Sequence, residues 1–222
     1  MKKYAVLVAG GNGSRMNSDM PKQFLLLEDK PVLYYTIQTF IESYDDIHII
    51  LVLPKDFVSI GEEIVLKYFP LNHIQIVAGG KTRFHSVKNG LAFVKEESVV
   101  FVHDAVRCLL STTLIHRCYE AVLTQFAVVP VISSRDSIRI DNGNENKTID
   151  RTTIKLVQTP QVFLSKVILP AFNAEYNDLF TDEATVVELQ GTKIHLIEGE
   201  ENNLKITHPI DLMVARHILK NK

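Results

Sequence analysis

A short apolar segment followed by a glycine-rich loop constrains the fold of this sequence more than any other feature. The segment Tyr4–Val8 is aliphatic and partly β-branched, which predicts a buried strand. Three glycines follow within residues 10–13. Because glycine has no Cβ atom, the backbone can turn sharply there, and its N–H groups can converge on an anion. Arg15 and Lys22 add two cations, so this stretch predicts a polyphosphate site.

The glycines alone leave the function of this loop open. The loop lacks the Gly-Lys-Ser/Thr ending of a P-loop and the second glycine pair of the dinucleotide-binding fingerprint. A plain turn between a strand and a helix would also account for a glycine run. The longer pattern, Gly-Gly-x-Gly-Ser-Arg-Met and then Lys-Gln-Phe after five further residues, is more specific. It resembles the signature of nucleotidyltransferases that join a sugar or polyol phosphate to a nucleoside triphosphate.

Strands and helices are predicted to alternate after this loop. Apolar runs predict strands at 48–53, 74–77, 99–102, 127–131 and 192–198. Helical spacing predicts helices at 32–40, 57–69, 84–93, 113–123, 164–176, 182–190 and 209–219, with Thr181 as the N-cap of the helix at 182–190. The alternation predicts an α/β fold with a mostly parallel, twisted sheet flanked by helices. Ligands bind such sheets at the carboxyl ends of the strands, where the loops converge.

The segment 134–158 interrupts this alternation. It is polar, and it contains two short strand-like runs around an Asp-Asn-Gly-Asn turn. A lone hairpin is marginally stable in water, so a protruding one is expected to pack on something. We therefore expect a β-arm covered by a second copy of the chain in a homodimer. A loose surface hairpin is the alternative.

Composition excludes several classes of protein. The chain has 222 residues, which suits one α/β domain spanning 1–222. A net charge of −2 argues against a nucleic-acid or membrane-surface protein. No apolar run approaches the roughly 20 residues of a membrane-spanning helix. The two cysteines make no disulfide framework, so we expect a cytoplasmic protein.

Charged residues after the predicted strands are candidates for chemistry. Asp104 ends an apolar strand, where a carboxylate can hold Mg²⁺, although it could instead cap the following turn. Arg107 could contact a phosphate or pair with Asp104. His103 is more typical of a satisfied structural group than of a base. From the sequence alone, Arg151 and Lys205 are more typical of surface charges.

Seven motifs, taken together, resemble those of a known family. In chain order they are the glycine loop with Arg15 and Lys22, Gly79-Gly80 with Arg83 and Ser86, His103–Arg107, Asp150-Arg151, Thr159–Gln161, Thr181–Ala184 and Asn203–Thr207. Their order and spacing, over nearly the whole chain, resemble the 2-C-methyl-D-erythritol 4-phosphate cytidylyltransferases of the non-mevalonate isoprenoid pathway. The resemblance implies a Rossmann-like nucleotidyltransferase fold, a homodimer with exchanged β-arms, CTP as substrate and Mg²⁺ as cofactor. It implies transfer of the cytidylyl group of CTP to the polyol phosphate, with release of pyrophosphate.

The resemblance also implies roles for individual residues. The residues implied in catalysis are Arg15, Lys22 and Asp104, the last of which would also contact the ribose and hold the metal. Those implied in nucleotide binding are Ala9, Gly10, Gly11, Gly13, Ser14, Gly80, Lys81, Ser86 and Ala105. Those implied in binding the polyol phosphate are Arg107, Ser137, Arg151, Thr181 and Lys205, with Ser137 and Arg151 reaching across from the partner's arm.

Three positions depart from the usual pattern of this family. Cys108 stands where proline is frequent, Lys81 where an acidic residue is frequent, and Ser137 where threonine is usual. Two other functions stay open, a ribitol-5-phosphate cytidylyltransferase and a non-catalytic nucleotide-binding module. The segments 149–151 and 181–184 favour the methylerythritol enzyme. The joint presence of five charged motif residues argues against the binding module.

Overall fold

The computed structural model describes residues 1–10, 20–70, 73–95 and 97–221. The strands are β1 (Lys2–Val8), β2 (Leu26–Leu27), β3 (Lys30–Pro31), β4 (Ile47–Leu53), β5 (Ile74–Ala78), β6 (Ser98–Asp104), β7 (Ala127–Ser133), β8 (Ile138–Asp141), β9 (Asn146–Ile149), β10 (Lys155–Val157), β11 (Gln161–Leu164) and β12 (His195–Glu198). The helices are α1 (Val32–Ser43), α2 (Val58–Tyr68), α3 (Arg83–Leu91), α4 (Thr112–Gln125), α5 (Ser165–Ala171), α6 (Glu183–Glu188) and α7 (Pro209–Lys220).

Within the described ranges, eight strands form the main sheet. β6, β1, β4 and β5 lie side by side in this order and are parallel to one another. On the other side of β6, β11 runs antiparallel and is followed by β7. β7 also pairs with β10 in the antiparallel and with β12 in the parallel orientation. The predicted α/β fold with a mostly parallel sheet is therefore confirmed, and the carboxyl ends of its four parallel strands share one edge.

Helices cover both faces of this sheet. In β1, Ala5 and Leu7 point into one layer, which α1 and α4 cover. Val6 and Val8 point into the opposite layer, which contains buried side chains of α3, α5 and α6. Both layers exclude water, so the sheet is fixed from both sides. A rigid sheet of this kind holds the loops at its carboxyl edge in defined positions.

Several local predictions differ from the structure. The predicted helix at 164–176 is shorter at both ends: Leu164 belongs to the buried strand β11 between β6 and β7, and the helix ends at Ala171, after which the chain continues in turns. A short apolar run can belong to a helix or to a buried strand, and here strand pairing decides. The short strand β10 was not predicted. Thr181 is not the N-cap of α6, because the carboxylate of Asp182 accepts the hydrogen bond from the Thr185 N–H at 2.9 Å.

The predicted two-stranded arm is present. β8 and β9 form an antiparallel hairpin in which Ile138 pairs with Ile149, and this two-stranded sheet is separate from the main one. Most of its side chains are exposed, and Ile140 is 49% exposed.

No helix in the described part of the chain is long and apolar enough to cross a membrane.

Candidate active site

A cleft of about 290 Å³ lies at the carboxyl edge of the parallel strands. The register of the sheet creates it, because Val8 at the end of β1 pairs with Asp104 at the end of β6. Ala105 N–H donates to the Val8 carbonyl at 3.0 Å, which holds these two ends together, and Ala9 N–H donates to the carbonyl of Val52 in β4 at 2.9 Å. The described residues that line the cleft are Val8, Ala9, Gly10, Lys22, Gln23, Gly80, Lys81, Thr82, Arg83, Ser86, Asp104, Val106 and Lys205.

The second glycine turn forms one wall of the cleft. Gly79 N–H donates to the Leu53 carbonyl at 2.7 Å, which ties the turn to the end of β4. Gly80 N–H donates to Ser86 Oγ at 3.1 Å, and this hydroxyl donates to the Thr82 carbonyl at 3.0 Å. A Cβ atom at Gly80 would lie 3.0 Å from the carbonyl carbon of His85. The close approach of turn and helix therefore requires glycine at position 80.

A cluster of four charged side chains forms the centre of the cleft. Arg83 donates to Asp104 Oδ1 from Nε at 3.2 Å and from Nη2 at 3.1 Å. The same guanidinium donates to both carboxylate oxygens of Glu183, from Nη1 to Oε1 and from Nη2 to Oε2 at 3.1 Å. Lys205 Nζ lies 2.7 Å from Asp104 Oδ2. Asp104 therefore has a cation at each of its oxygens.

Burial and charge act in opposite directions on the two carboxylates. Burial would raise the pKa of Asp104, but the positive charges of Arg83 and Lys205 outweigh it and hold that pKa well below the ordinary value. Burial raises the pKa of Glu183, and Arg83 offsets this effect only in part. Asp104 is therefore anionic over the whole physiological range of pH. A permanent carboxylate of this kind suits a ribose hydroxyl or a metal ion.

Two buried side chains, Lys22 and Gln23, donate hydrogen bonds to backbone carbonyls beside the cleft. Lys22 is 8% exposed, and its Nζ donates to the Ile206 carbonyl at 2.7 Å. Gln23 is 1% exposed and donates from Nε2 to the Ala9 carbonyl at 2.7 Å. Gln23 Oε1 is buried and has no hydrogen-bond partner among the residues that the structure describes. Both side chains follow Pro21 in a single 3-10 turn, which aims them at the cleft.

His103 is a buried structural group, as the sequence predicts. It is 0% exposed. Thr159 Oγ1 lies 2.9 Å from Nδ1, and the Arg107 carbonyl lies 3.3 Å from Nε2. The Asp104 N–H donates to the same threonine hydroxyl at 3.1 Å. The imidazole that fits is neutral: Nε2–H donates to the carbonyl, and Nδ1 accepts from the hydroxyl. This chain fixes the backbone at Asp104.

The structure brings together many of the predicted site residues but not all of them. Those that line the cleft are Ala9, Gly10, Lys22, Gly80, Lys81, Ser86, Asp104 and Lys205. Ala105 is buried directly after Asp104. Arg107 donates to the carbonyls of Asn203 at 2.8 Å and Val157 at 3.4 Å, so it braces the backbone beside the cleft. Its contact with a substrate stays a prediction.

The remaining predicted residues lie elsewhere or outside the described ranges. Ser137, Thr181 and Arg151 are exposed and do not line the cleft of their own chain. Arg151 Nη1 donates to the Arg135 carbonyl at 2.8 Å. The predictions for Gly11, Gly13, Ser14 and Arg15 fall outside the described residues.

Sequence reasoning gave no role to several residues of the cleft. These are Gln23, Thr82, Arg83, Val106 and, behind Arg83, Glu183. Arg83 and Glu183 each belong to a motif of the family resemblance, so these motifs already indicated that both residues could matter for function. Their contact could not be inferred, because the two residues are 100 positions apart in the sequence.

Comparison with known proteins agrees with this geometry. The sequence model of the 2-C-methyl-D-erythritol 4-phosphate cytidylyltransferase family matches residues 4–221. The chain belongs to this family. A relative of that name from Phocaeicola vulgatus is 46% identical over 220 residues, covering 99% of this chain and 100% of the relative. Another from Bacteroides thetaiotaomicron is 43% identical over 221 residues, with 99% and 100% coverage. Members of this cytidylyltransferase family thus align with the chain from end to end.

Solved structures of the family share the fold. A 4-diphosphocytidyl-2C-methyl-D-erythritol synthase from Anaerococcus prevotii superposes with a TM-score of 0.84 at 28% identity, covering 99% of this chain and 96% of the other. The bifunctional IspDF from Campylobacter jejuni has a TM-score of 0.82 at 29% identity. It covers 96% of this chain, but only 54% of the longer protein is matched. The fold of these solved structures therefore covers 96% to 99% of this chain.

Proposed function

We propose that the protein transfers the cytidylyl group of CTP to 2-C-methyl-D-erythritol 4-phosphate, giving 4-diphosphocytidyl-2-C-methyl-D-erythritol and pyrophosphate for isoprenoid precursor synthesis. Membership of the family supports the reaction. The observation that carries the proposal is the charge of the cleft, because its described lining residues include four cations, Lys22, Lys81, Arg83 and Lys205, and one carboxylate, Asp104. Such a site suits two phosphorylated substrates, because cations offset the repulsion between them.

The attacking group is the phosphate of the polyol, and the bond that breaks joins the α-phosphorus of CTP to its β-phosphate bridging oxygen. The attacking oxygen is already anionic, so no general base is needed. Catalysis then depends on bringing two anions into line and stabilising the charge at phosphorus. Lys22 and Arg15 hold the triphosphate, and Lys205 meets the polyol phosphate. The backbone at Gly80 and the hydroxyl of Ser86 lie beside cytosine.

Asp104 would hold Mg²⁺ together with oxygens of the nucleotide. Among the described residues, no group of three or more His, Cys, Asp or Glu side chains could hold a metal ion by itself. One carboxylate completed by phosphate oxygens is a common arrangement for Mg²⁺, so the residues present fit this ion. When bound, Mg²⁺ would offset the negative charge of the phosphates.

The segment 134–158 serves as the arm of a cytoplasmic homodimer within a single domain of residues 1–222. The exposed hairpin supports this assembly, since two paired strands alone bury little surface. Ser137 and Arg151 would then reach the polyol phosphate in the partner's cleft. The planar guanidinium of Arg151 can bind two phosphate oxygens at once.

Pyrophosphate release tests the proposed reaction. The protein is incubated with CTP and Mg²⁺, and 2-C-methyl-D-erythritol 4-phosphate or ribitol 5-phosphate is supplied separately. We expect release with the methylerythritol substrate alone. Release with ribitol 5-phosphate alone would contradict the assigned substrate, and no release with either would contradict the assigned reaction.

A further inference from the structure

Arg83 forms a bridge between two carboxylates that lie in different parts of the fold. Asp104 ends β6, and Glu183 begins α6. The guanidinium gives Asp104 two hydrogen bonds, both to Oδ1, and gives one to each oxygen of Glu183. Both Glu183 oxygens accept from a cation, which is the arrangement of an ionised carboxylate. The Arg83 side chain is thus held at a fixed angle between the two acids.

The position of Glu183 is itself fixed. It is 1% exposed, so its carboxylate lies out of contact with solvent. Gln161 in β11 accepts a hydrogen bond from Ala184 N–H and donates one to Asp182 Oδ2, each at 2.9 Å. The Asp182 carboxylate also caps α6. The first turn of this helix is therefore attached to the sheet, and Glu183 forms a rigid support for Arg83.

The charge balance of the cluster depends on Glu183. Without it, Arg83 and Lys205 would both have Asp104 as their carboxylate partner, leaving an excess positive charge on one buried anion. With Glu183 present, its carboxylate balances the charge of Arg83 on the side away from Asp104. The guanidinium then contacts only Oδ1 of Asp104. Oδ2 then faces Lys205, which is 41% exposed and lies on the open side of the cleft.

We propose that Glu183 is a positioning residue which, by pairing with Arg83, keeps the guanidinium on Oδ1 of Asp104, so that Mg²⁺ and the nucleotide have only Lys205 to displace from Oδ2. This inference rests on the proposed function, in which Asp104 meets the metal–nucleotide complex. Glu183 touches no substrate in this scheme. It acts through Arg83, as outer groups orient the ligands of a metal.

The test compares Glu183→Gln with Glu188→Gln, an exposed glutamate at the other end of the same helix. Calorimetry measures binding of CTP with Mg²⁺ and of CTP with EDTA, in the absence of polyol phosphate. We expect the dissociation constant of the Mg²⁺ complex to rise about 10- to 100-fold for Glu183→Gln, as for other outer-shell changes. Binding without Mg²⁺ should change little, and Glu188→Gln should match the unmodified protein. Equal weakening with and without Mg²⁺, or no weakening, would overturn the proposal.

Two further variants address folding and mechanism. Arg83→Lys keeps the charge but loses the fork that reaches both acids, so it should weaken Mg²⁺–CTP binding even if Glu183→Gln does not fold. In an Arg83→Gln background, adding Glu183→Gln should have no further effect on binding, because the link is already broken. An undiminished effect there would show that Glu183 does not act through Arg83. Pyrophosphate release by the unmodified protein tests the reaction separately, so failure of the reaction and of this inference are distinguishable.

Discussion

His103 should make the protein less stable in mild acid. Burial lowers the pKa of this imidazole to about 3, far below the ordinary value for histidine. The Thr159 hydroxyl and the Arg107 carbonyl already satisfy its two ring nitrogens in the neutral form. Protonation of Nδ1 would therefore remove the hydrogen bond that this nitrogen accepts from the Thr159 hydroxyl. The folded chain keeps this histidine neutral, whereas the unfolded chain protonates it as the pH falls.

The magnitude follows from the two pKa values. Above about pH 6.5, the unfolded-state pKa, the folded and unfolded chains are both neutral at this position and there is no penalty. Below it, only the unfolded state gains a proton, so the free energy of unfolding falls. At pH 5 the loss is about 2 kcal/mol. Any folded-state pKa below about 4 gives the same result within ~0.1 kcal/mol, so the value depends on burial of the neutral ring rather than on the depth of the shift.

Urea unfolding between pH 7.5 and 5 measures this effect, with the protein concentration held fixed because an oligomer unfolds in a concentration-dependent way. His103→Gln should lower stability at every pH, yet lose about 2 kcal/mol less than the unmodified protein on going to pH 5. Phe40→Leu is the matched control, because Phe40 packs against the imidazole and carries no titrating group. It should lower stability equally at both pH values. Parallel pH profiles for His103→Gln and the unmodified protein would refute the reasoning.

Three further predictions concern the site, the arm and the thiols. Lys22→Ala should lose turnover by about 3 kcal/mol, more than 100-fold, by analogy with loss of one oxyanion donor. An unchanged kcat of Lys22→Ala in the pyrophosphate assay would contradict the role of Lys22 in holding the triphosphate. Arg151→Ala should raise the KM for the polyol phosphate, and mixed dimers of the two variants should recover part of the activity if the arm crosses between protomers. If mixed dimers of the two variants recover no activity, that result would argue against arm exchange. Cys118 is fully buried, and burial raises the pKa of its thiol to about 12. Ellman's reagent should therefore label this thiol only after denaturation. Rapid labelling of Cys118 in the native protein would contradict this burial.

The order of strands and helices could be predicted because most elements carry their own pattern. β1, β4 and β6 are continuous apolar runs, and the helices between them have clear apolar spacing. β11 could not be predicted in this way, because a run of four residues is too short to show a period, and only pairing with β6 and β7 makes it a strand. Local pattern therefore predicted the parallel part of the sheet better than its antiparallel part.

Prediction of the site had a similar limit. Asp104 and Lys22 could be identified because they follow strands or belong to specific motifs. Glu183 could not be assigned a role, because a glutamate in the first turn of a helix is usually a favourable surface charge. Its burial depends on Gln161 and Arg83, which the fold brings to it from distant parts of the chain. For Thr181 the error was the reverse: the sequence predicted a role that the structure does not show. Threonine is a favourable N-cap residue, but the neighbouring Asp182 caps the helix instead.

The ion pair between Lys205 and Asp104 makes nucleotide binding an exchange of counter-ions. The 2.7 Å contact means that the ammonium and the carboxylate are already neutralised by each other. A phosphate that takes the lysine must leave the carboxylate to a new cation, so the two changes occur together. Such an exchange releases fewer bulk ions than binding to unpaired charges would. The affinity for nucleotide should therefore depend less on ionic strength than the number of cations in the cleft suggests.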